Sequence, residues 1–335
     1  MNFDVSLPPV SLGQASTLAR QAEALGFDAL WTSETQHDPF LPLALAAEHT
    51  SRVRLGTAVA IGFARSPATL AYTAWDLAES SGGRFILGIG TQVRAHIERR
   101  FGMPWPASPV GKLREMIASL RAFWNAWQNG EPLQFRGEYF RLTLMTPFFN
   151  PGPIGHPHIP IFIAGVNPGM CRLAGEVAQG FHAHPLHSER YLREVVRPTL
   201  ARGAAKAGRN PNEIQLSVTA ITACDETEAD FARTQLAFYA STPTYRPVLA
   251  LHGWGDLADR LRTLAGRGVW SEMPALISDE MLRTLAVVAP QQELAEALKS
   301  RYQGLADRLT LYRAFTADPG DPFWGQLIPK MRGGE

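Results

Sequence analysis

Short apolar runs bounded by turn residues alternate along the whole chain with stretches whose apolar residues recur at helical spacing. The strand-like runs are FDVSL, FDALWTS, VRLGTAVA, RFILGIGT, IPIFIAG, GFHAHP, QLSVTAITAC and RLTLYRAF. Helical stretches separate them. In LGQASTLARQAEALG, Ala15, Leu18, Ala19, Ala22 and Leu25 share one face, and Gly26 ends the helix. In the fourth unit Leu113, Ile117, Leu120, Trp124 and Trp127 repeat in the same way. Ser66 ahead of Pro67 marks another helix start. Eight strands spaced by helices, with no break in composition, predict an α/β fold: one (β/α)8 TIM barrel, preferred over two doubly wound halves, as a single domain over 1–335.

Two segments exceed the minimal pattern. Residues 128–158 carry Phe135, Gly137 and Phe140 and then a proline-rich stretch, which reads as a hairpin and loop inserted after the fourth helix. Residues 241–289 form a second insertion, between the seventh and eighth strands. Such insertions in barrels serve as lids, as substrate walls or as contacts between subunits, so a homodimer is among the expectations.

A formal net charge of +1 gives the chain no bulk attraction for polyanions or anionic lipid, which argues against nucleic acid and membrane and for a small-molecule substrate. Its two cysteines, Cys171 and Cys224, form neither a disulfide framework nor a metal-ligand spacing. No export signal or long apolar run is visible, and the expected compartment is the cytoplasm.

The fourth strand ends in Gly88-x-Gly90 and resembles a dinucleotide-binding turn, but Val93 occupies the third small-residue position and three βα units precede it. The glycines instead let a flat ligand or a neighbouring strand approach the backbone. Thr91 and Gln92 follow, placed to point polar groups into the barrel mouth. Strand two delivers Glu34, His37 and Asp38; strand three, Thr57, Ala58 and Val59; strand five, Ala164, Gly165, Val166 and Asn167; strand six, His182 and His184, with His187 behind. All fall at the carboxyl face, where barrels concentrate catalytic groups. Small residues there leave a flat slot bordered by two polar clusters. A metal site would need three or more converging ligands, often a His-x-His on the first strand and a carboxylate on the last, and here the first strand has no histidine and the last no carboxylate. For ETQHDPF, which lacks core-like periodicity, a carboxylate beside an imidazole suits proton transfer, and Asp38 also suits a helix cap.

The segments LGTAVAIGFARSPATLA, GRFILGIGTQVRAH and IPIFIAGVNPGMCRLAGEVAQGF, with VVAPQQELAEAL near the end, resemble the luciferase-like monooxygenase superfamily. Within it the chain is most similar to the coenzyme F420-dependent oxidoreductases. The resemblance implies a barrel that binds a deazaflavin or flavin ring at its mouth. It also implies a non-prolyl cis peptide at Ala58–Val59 bulging against the ring, ring-edge contacts from Thr91 and Gln92, and an approach to the phosphate side by Gly165, Val166 and Asn167, with Thr57 and Ala164 among the cofactor-binding residues. It departs from relatives that oxidise sugar phosphates, which carry an acid where this chain has Val93 and a histidine where it has Thr35. The expected activity is hydride transfer between F420 and a small organic substrate, with Glu34, His37 and His184 as acid–base candidates and no metal. An FMN-dependent monooxygenase is the alternative, and a non-catalytic flavin-binding barrel the third reading.

Overall fold

The computed structural model describes residues 1–316 and 322–333. Eight parallel positions close into a barrel in the order β3-β2-β1-β13-β10-β9-β8-β5, and β3 pairs with β5 to complete the ring. The strands in the first half are β1 (Asn2–Ser6), β2 (Ala29–Thr32), β3 (Arg54–Thr57), β4 (Ala60–Ile61) and β5 (Phe85–Gly90). A hairpin of β6 (Phe135–Arg136) and β7 (Arg141–Leu142) stands outside the ring, where the first insertion was expected. The second half comprises β8 (Ile161–Gly165), β9 (Gly180–Ala183), β10 (Gln215–Ala220) and β13 (Arg308–Leu311). Between them β11 (Thr222–Ala223) and β12 (Val287–Val288) form a separate parallel pair.

Helices α1 (Leu12–Leu25), α2 (Leu41–His49), α3 (Pro67–Ser80), α4 (Arg94–Arg99) and α5 (Pro109–Asn129) cover the first half. After β8 come α6 (Pro168–Val177) and then α7 (Glu189–Tyr191), which continues through a π turn at Leu192–Val196 into α8 (Arg197–Lys206). The second insertion is helical. It begins at the end of α9 (Glu226–Ala240) with a tight turn at Pro243–Tyr245 and runs through α10 (Arg246–Ala250), α11 (Gly255–Gly266) and α12 (Asp279–Leu285). Then α13 (Leu294–Tyr302) leads into β13, and α14 (Phe323–Arg332) closes the described chain.

The helix ends follow local chemistry. Ser66 Oγ accepts from Thr69 N (3.1 Å) at the start of α3, and Ser108 Oγ from Gly111 N (3.0 Å) at the start of α5. Gly26 ends α1 at φ 90°, a conformation costly for residues with a Cβ. One expectation is corrected here: Ala15, Leu18, Ala19 and Ala22 are buried, but Leu25 in the last turn is 37% exposed, because the helix has already drifted off its buried face.

The core has two parts. A large cluster lies between the strands and the helices, and it takes in Leu113, Ile117, Leu120, Trp124 and Trp127 of α5. A small one, Ala29, Trp31, Ile86 and Phe162, fills the barrel interior, and Ala58 packs on it. Period-two alternation separates them, since Leu30, Leu55, Leu87, Ile161 and Phe181 face the helices.

Candidate active site

The mouth is shaped first by backbone. β3 stops at Thr57, the Ala58–Val59 peptide is cis, and the chain resumes as β4 alongside β5. Glycines make room for this path. A Cβ on Gly88 would lie 1.7 Å from the Thr57 carbonyl oxygen, and one on Gly90 would lie 2.9 Å from Val59 Cγ2. Thr57 Oγ1 donates to Gly88 O at 2.6 Å and ties the two strands together. The strand-four glycines therefore admit the neighbouring strand. Gly56 and Gly180 do the same for the plug, accommodating the rings of Trp31 and Phe162.

Beneath the mouth lies a buried polar group. Arg308 donates through Nε and Nη2 to the two carboxylate oxygens of Asp4, both at 2.7 Å, and Trp31 Nε1 donates to the same carboxylate at 2.9 Å. This fork joins the first strand to the last. The His182 ring meets Trp31 edge-on at 4.8 Å, and its Nε2 is buried without a partner. Burial, with Arg308 nearby, pushes His182 down to about 3, so the ring is neutral.

On the β2 side, Glu34 is anchored. Its Oε2 accepts from Ile61 N at 2.6 Å and from Arg65 Nη1 at 2.5 Å, while Arg65 Nη2 reaches Asp38 Oδ2 at 3.0 Å. Asp38 Oδ1 accepts from Phe40 N (2.8 Å) and Leu41 N (3.3 Å), so it caps the α2 entry while also pairing with Arg65. Glu34 thus fixes the segment just after the cis peptide. His37 is exposed and borders a shallow surface cleft lined also by Leu7, Thr32, Ser33 and Asp38.

On the opposite rim, four strand positions away, stands His184. Its Nδ1 accepts from Leu186 N at 3.0 Å, and its ring packs against Tyr239 (4.6 Å, edge-on) and Tyr245 (4.3 Å). Burial and the neighbouring His187 push it down to about 3. Behind it, His187 Nδ1 donates to His184 O (2.8 Å) and its Nε2 accepts from Tyr302 OH (3.1 Å). The structure does not bring Glu34 and His37 together with His184. They face one another across the mouth.

The ends of β5 and β8 lie between these rims. Thr91 and Gln92 turn back on their own backbone: Thr91 Oγ1 donates to Gln92 O (3.0 Å), and Gln92 Oε1 accepts from Val93 N (2.9 Å). Gln92 is the one non-glycine with positive φ (60°) among the described residues. Ala58, Val59, Ala164 and Gly165 are half-buried. Val166 is buried, with its carbonyl taken by Tyr191 OH at 3.1 Å, and Asn167 Oδ1 is buried without a partner at the start of α6. Among the described residues no three His, Cys, Asp or Glu side chains converge as metal ligands would.

Sequence reasoning missed Asp4, Arg308, Tyr239, Tyr245 and Tyr312. A lone aspartate and a lone arginine at interior positions of the first and last strands were the available signal for the first two. Tyr239 and Tyr245 lie beside and within the second insertion, and Tyr312 directly follows the last barrel strand.

The strand order and its closure define a (β/α)8 barrel with small, half-buried residues at the ends of β3 and β8 on its carboxyl face. The chain belongs to the luciferase-like monooxygenase family, whose model it matches over residues 2–308. It is 48% identical over 315 residues to an uncharacterised protein of Mycobacterium tuberculosis, with 92% of each chain covered. It is 30% identical over 292 residues to a putative coenzyme F420-dependent oxidoreductase of the same organism, covering 81% of this chain and 82% of the relative. Among solved structures, the coenzyme F420-dependent tetrahydromethanopterin reductase of Methanopyrus kandleri superposes with a TM-score of 0.79 at 21% identity, over 98% of this chain and 97% of that one, which establishes the shared fold.

Proposed function

We propose that the protein is an F420-dependent oxidoreductase that moves a hydride between C5 of the deazaflavin and a small organic substrate. The observation that carries this reading is the set of small, half-buried residues Ala58, Val59, Ala164 and Gly165 at the ends of β3 and β8, which we read as a slot over the apolar barrel interior, together with two buried polar atoms, His182 Nε2 and Asn167 Oδ1, that lack protein partners among the described residues. A flat ring with polar edges fits those requirements: it covers Ala58, and it offers partners to groups whose desolvation is otherwise uncompensated. The 30% identity to a relative named as a putative F420-dependent oxidoreductase supports the choice of cofactor.

When bound, the deazaflavin supplies the hydride chemistry, and the chain supplies orientation and proton handling. Ala58 and Val59 would lie against the ring, and Gly165 and Asn167 would hold the phosphate side. Glu34, held by Arg65, keeps the Ala58–Val59 segment in place. His37, exposed on the β2 side of the mouth, is the candidate for proton exchange with solvent or substrate.

The test is titration of the purified protein with F420 and, in parallel, with FMN, followed by cofactor fluorescence. Saturable binding selective for F420 is expected. Selective binding of FMN would replace the reading with oxygen activation on reduced flavin, and binding of neither would overturn it.

A further inference from the structure

The rim at His184 carries two polar groups that the fold positions and leaves open. Leu186 N–H donates to His184 Nδ1 at 3.0 Å, so in the neutral ring the proton sits on Nε2. The carbonyl of the same residue accepts from His187 Nδ1, and its amide donates to Gly165 O at 3.3 Å, so this turn is held at both ends. Tyr239 and Tyr245 confine the ring from two directions.

Tyr239 cannot offer its hydroxyl proton, because it is engaged with Tyr312 OH at 2.7 Å and Tyr312 donates to Gln235 Oε1 at 3.2 Å. By contrast, His184 Nε2 and Tyr245 OH have no protein partner among the described residues. One is a donor only; the other can donate or accept.

We infer that His184 and Tyr245 form the recognition point for an oxygen atom of the substrate, a carbonyl or hydroxyl borne on a flat apolar body, with His184 as a fixed hydrogen-bond donor. This rests on the mouth being the substrate site. His184 is then a binding group and carries no proton in the reaction, since its open nitrogen already bears hydrogen and its other nitrogen is committed. Its burial beside His187 keeps the ring uncharged through the ordinary pH range.

The probe pair is acetophenone and ethylbenzene, nearly equal in shape and differing in the oxygen. Each is titrated by ligand-observed NMR into the full chain, with and without F420. Wild type is expected to prefer acetophenone by about tenfold, the usual worth of one buried hydrogen bond. His184→Phe and Tyr245→Phe are each expected to reduce that preference, with F420 binding unchanged, which shows that the variants are folded. Equal affinity for the two probes, no binding of either, or a preference that survives His184→Phe would overturn the inference. So would nitrogen-15 spectra of labelled histidine that place the proton on Nδ1. If F420 fails to bind wild type while the acetophenone preference persists, the cofactor reading fails and the oxygen-recognition site stands.

Discussion

Acid should weaken this fold through the histidines clustered around β9. His182 and His184 are pushed down to about 3 and His187 to about 4, each chiefly by burial, and the charged groups beside them are Arg308 and Arg301 rather than carboxylates. In the unfolded chain a histidine titrates near 6.5. The sign follows: below pH 6.5 the unfolded chain takes up protons that the folded chain refuses, so stability is full above that pH and is lost as pH falls toward 4. Between pH 7 and 5.5 each group removes on the order of 1 kcal/mol, and the three together a few kcal/mol. That is a large share of the 5 to 15 kcal/mol typical of folded proteins. Urea unfolding at a series of pH values reads the effect. Other groups add slopes of their own, so the decisive comparison is His182→Leu, which should flatten the wild-type slope by close to one proton whatever it does to stability at pH 7. A variant with the wild-type slope would refute the assignment of a neutral, unprotonated His182 to the barrel interior.

Three further outcomes follow from the same geometry. Asp4→Asn leaves the Arg308 guanidinium buried beside a neutral group and should cost about 3 to 5 kcal/mol in urea unfolding, whereas the double variant Asp4→Leu/Arg308→Met should recover most of it. Gly88→Ala places a methyl against the Thr57 carbonyl, a backbone atom that cannot swing away, and should cost about 3 kcal/mol; a thermal midpoint equal to wild type would contradict the close approach of β3 and β5. Glu34→Gln removes the charge that holds Arg65 and weakens the anchor at Ile61 N, at about 1 to 3 kcal/mol; thermal unfolding and F420 titration should both register the loss, and unchanged values in both would make Glu34 dispensable as an anchor.

The barrel was legible because its strands alternate outward residues such as Leu30, Leu87 and Leu309 with inward ones, and because helix starts carry local signals such as Ser66 and Ser108. Gly88 was recognised as a place of close approach, and Thr57 proved to be what approaches. The cis Ala58–Val59 peptide entered through family resemblance, since nothing local in LGTAVA demands it. Long-range pairing was the hardest to read. Asp4 and Arg308 stand 304 residues apart, and only barrel closure brings them together. Thr91 and Gln92 were expected to turn polar groups toward the mouth; Thr91 Oγ1 and Gln92 Oε1 engage neighbouring backbone, a local competition that a sequence pattern does not reveal. Glu34 and His37 are close in sequence but meet different surroundings, one ion-paired and the other open to the cleft.

Ring binding at the slot is tested most directly by comparing F420 affinity in wild type and Ala164→Phe. Ala164 lies on the same strand face as Phe162, beside Gly90 and half-open to the mouth, so a phenyl group there occupies the space assigned to the ring. Wild type should bind with a saturable fluorescence change, and the variant should lose affinity by at least about 100-fold, roughly 3 kcal/mol, while its urea unfolding stays cooperative. Equal affinity in the two proteins would place the cofactor elsewhere.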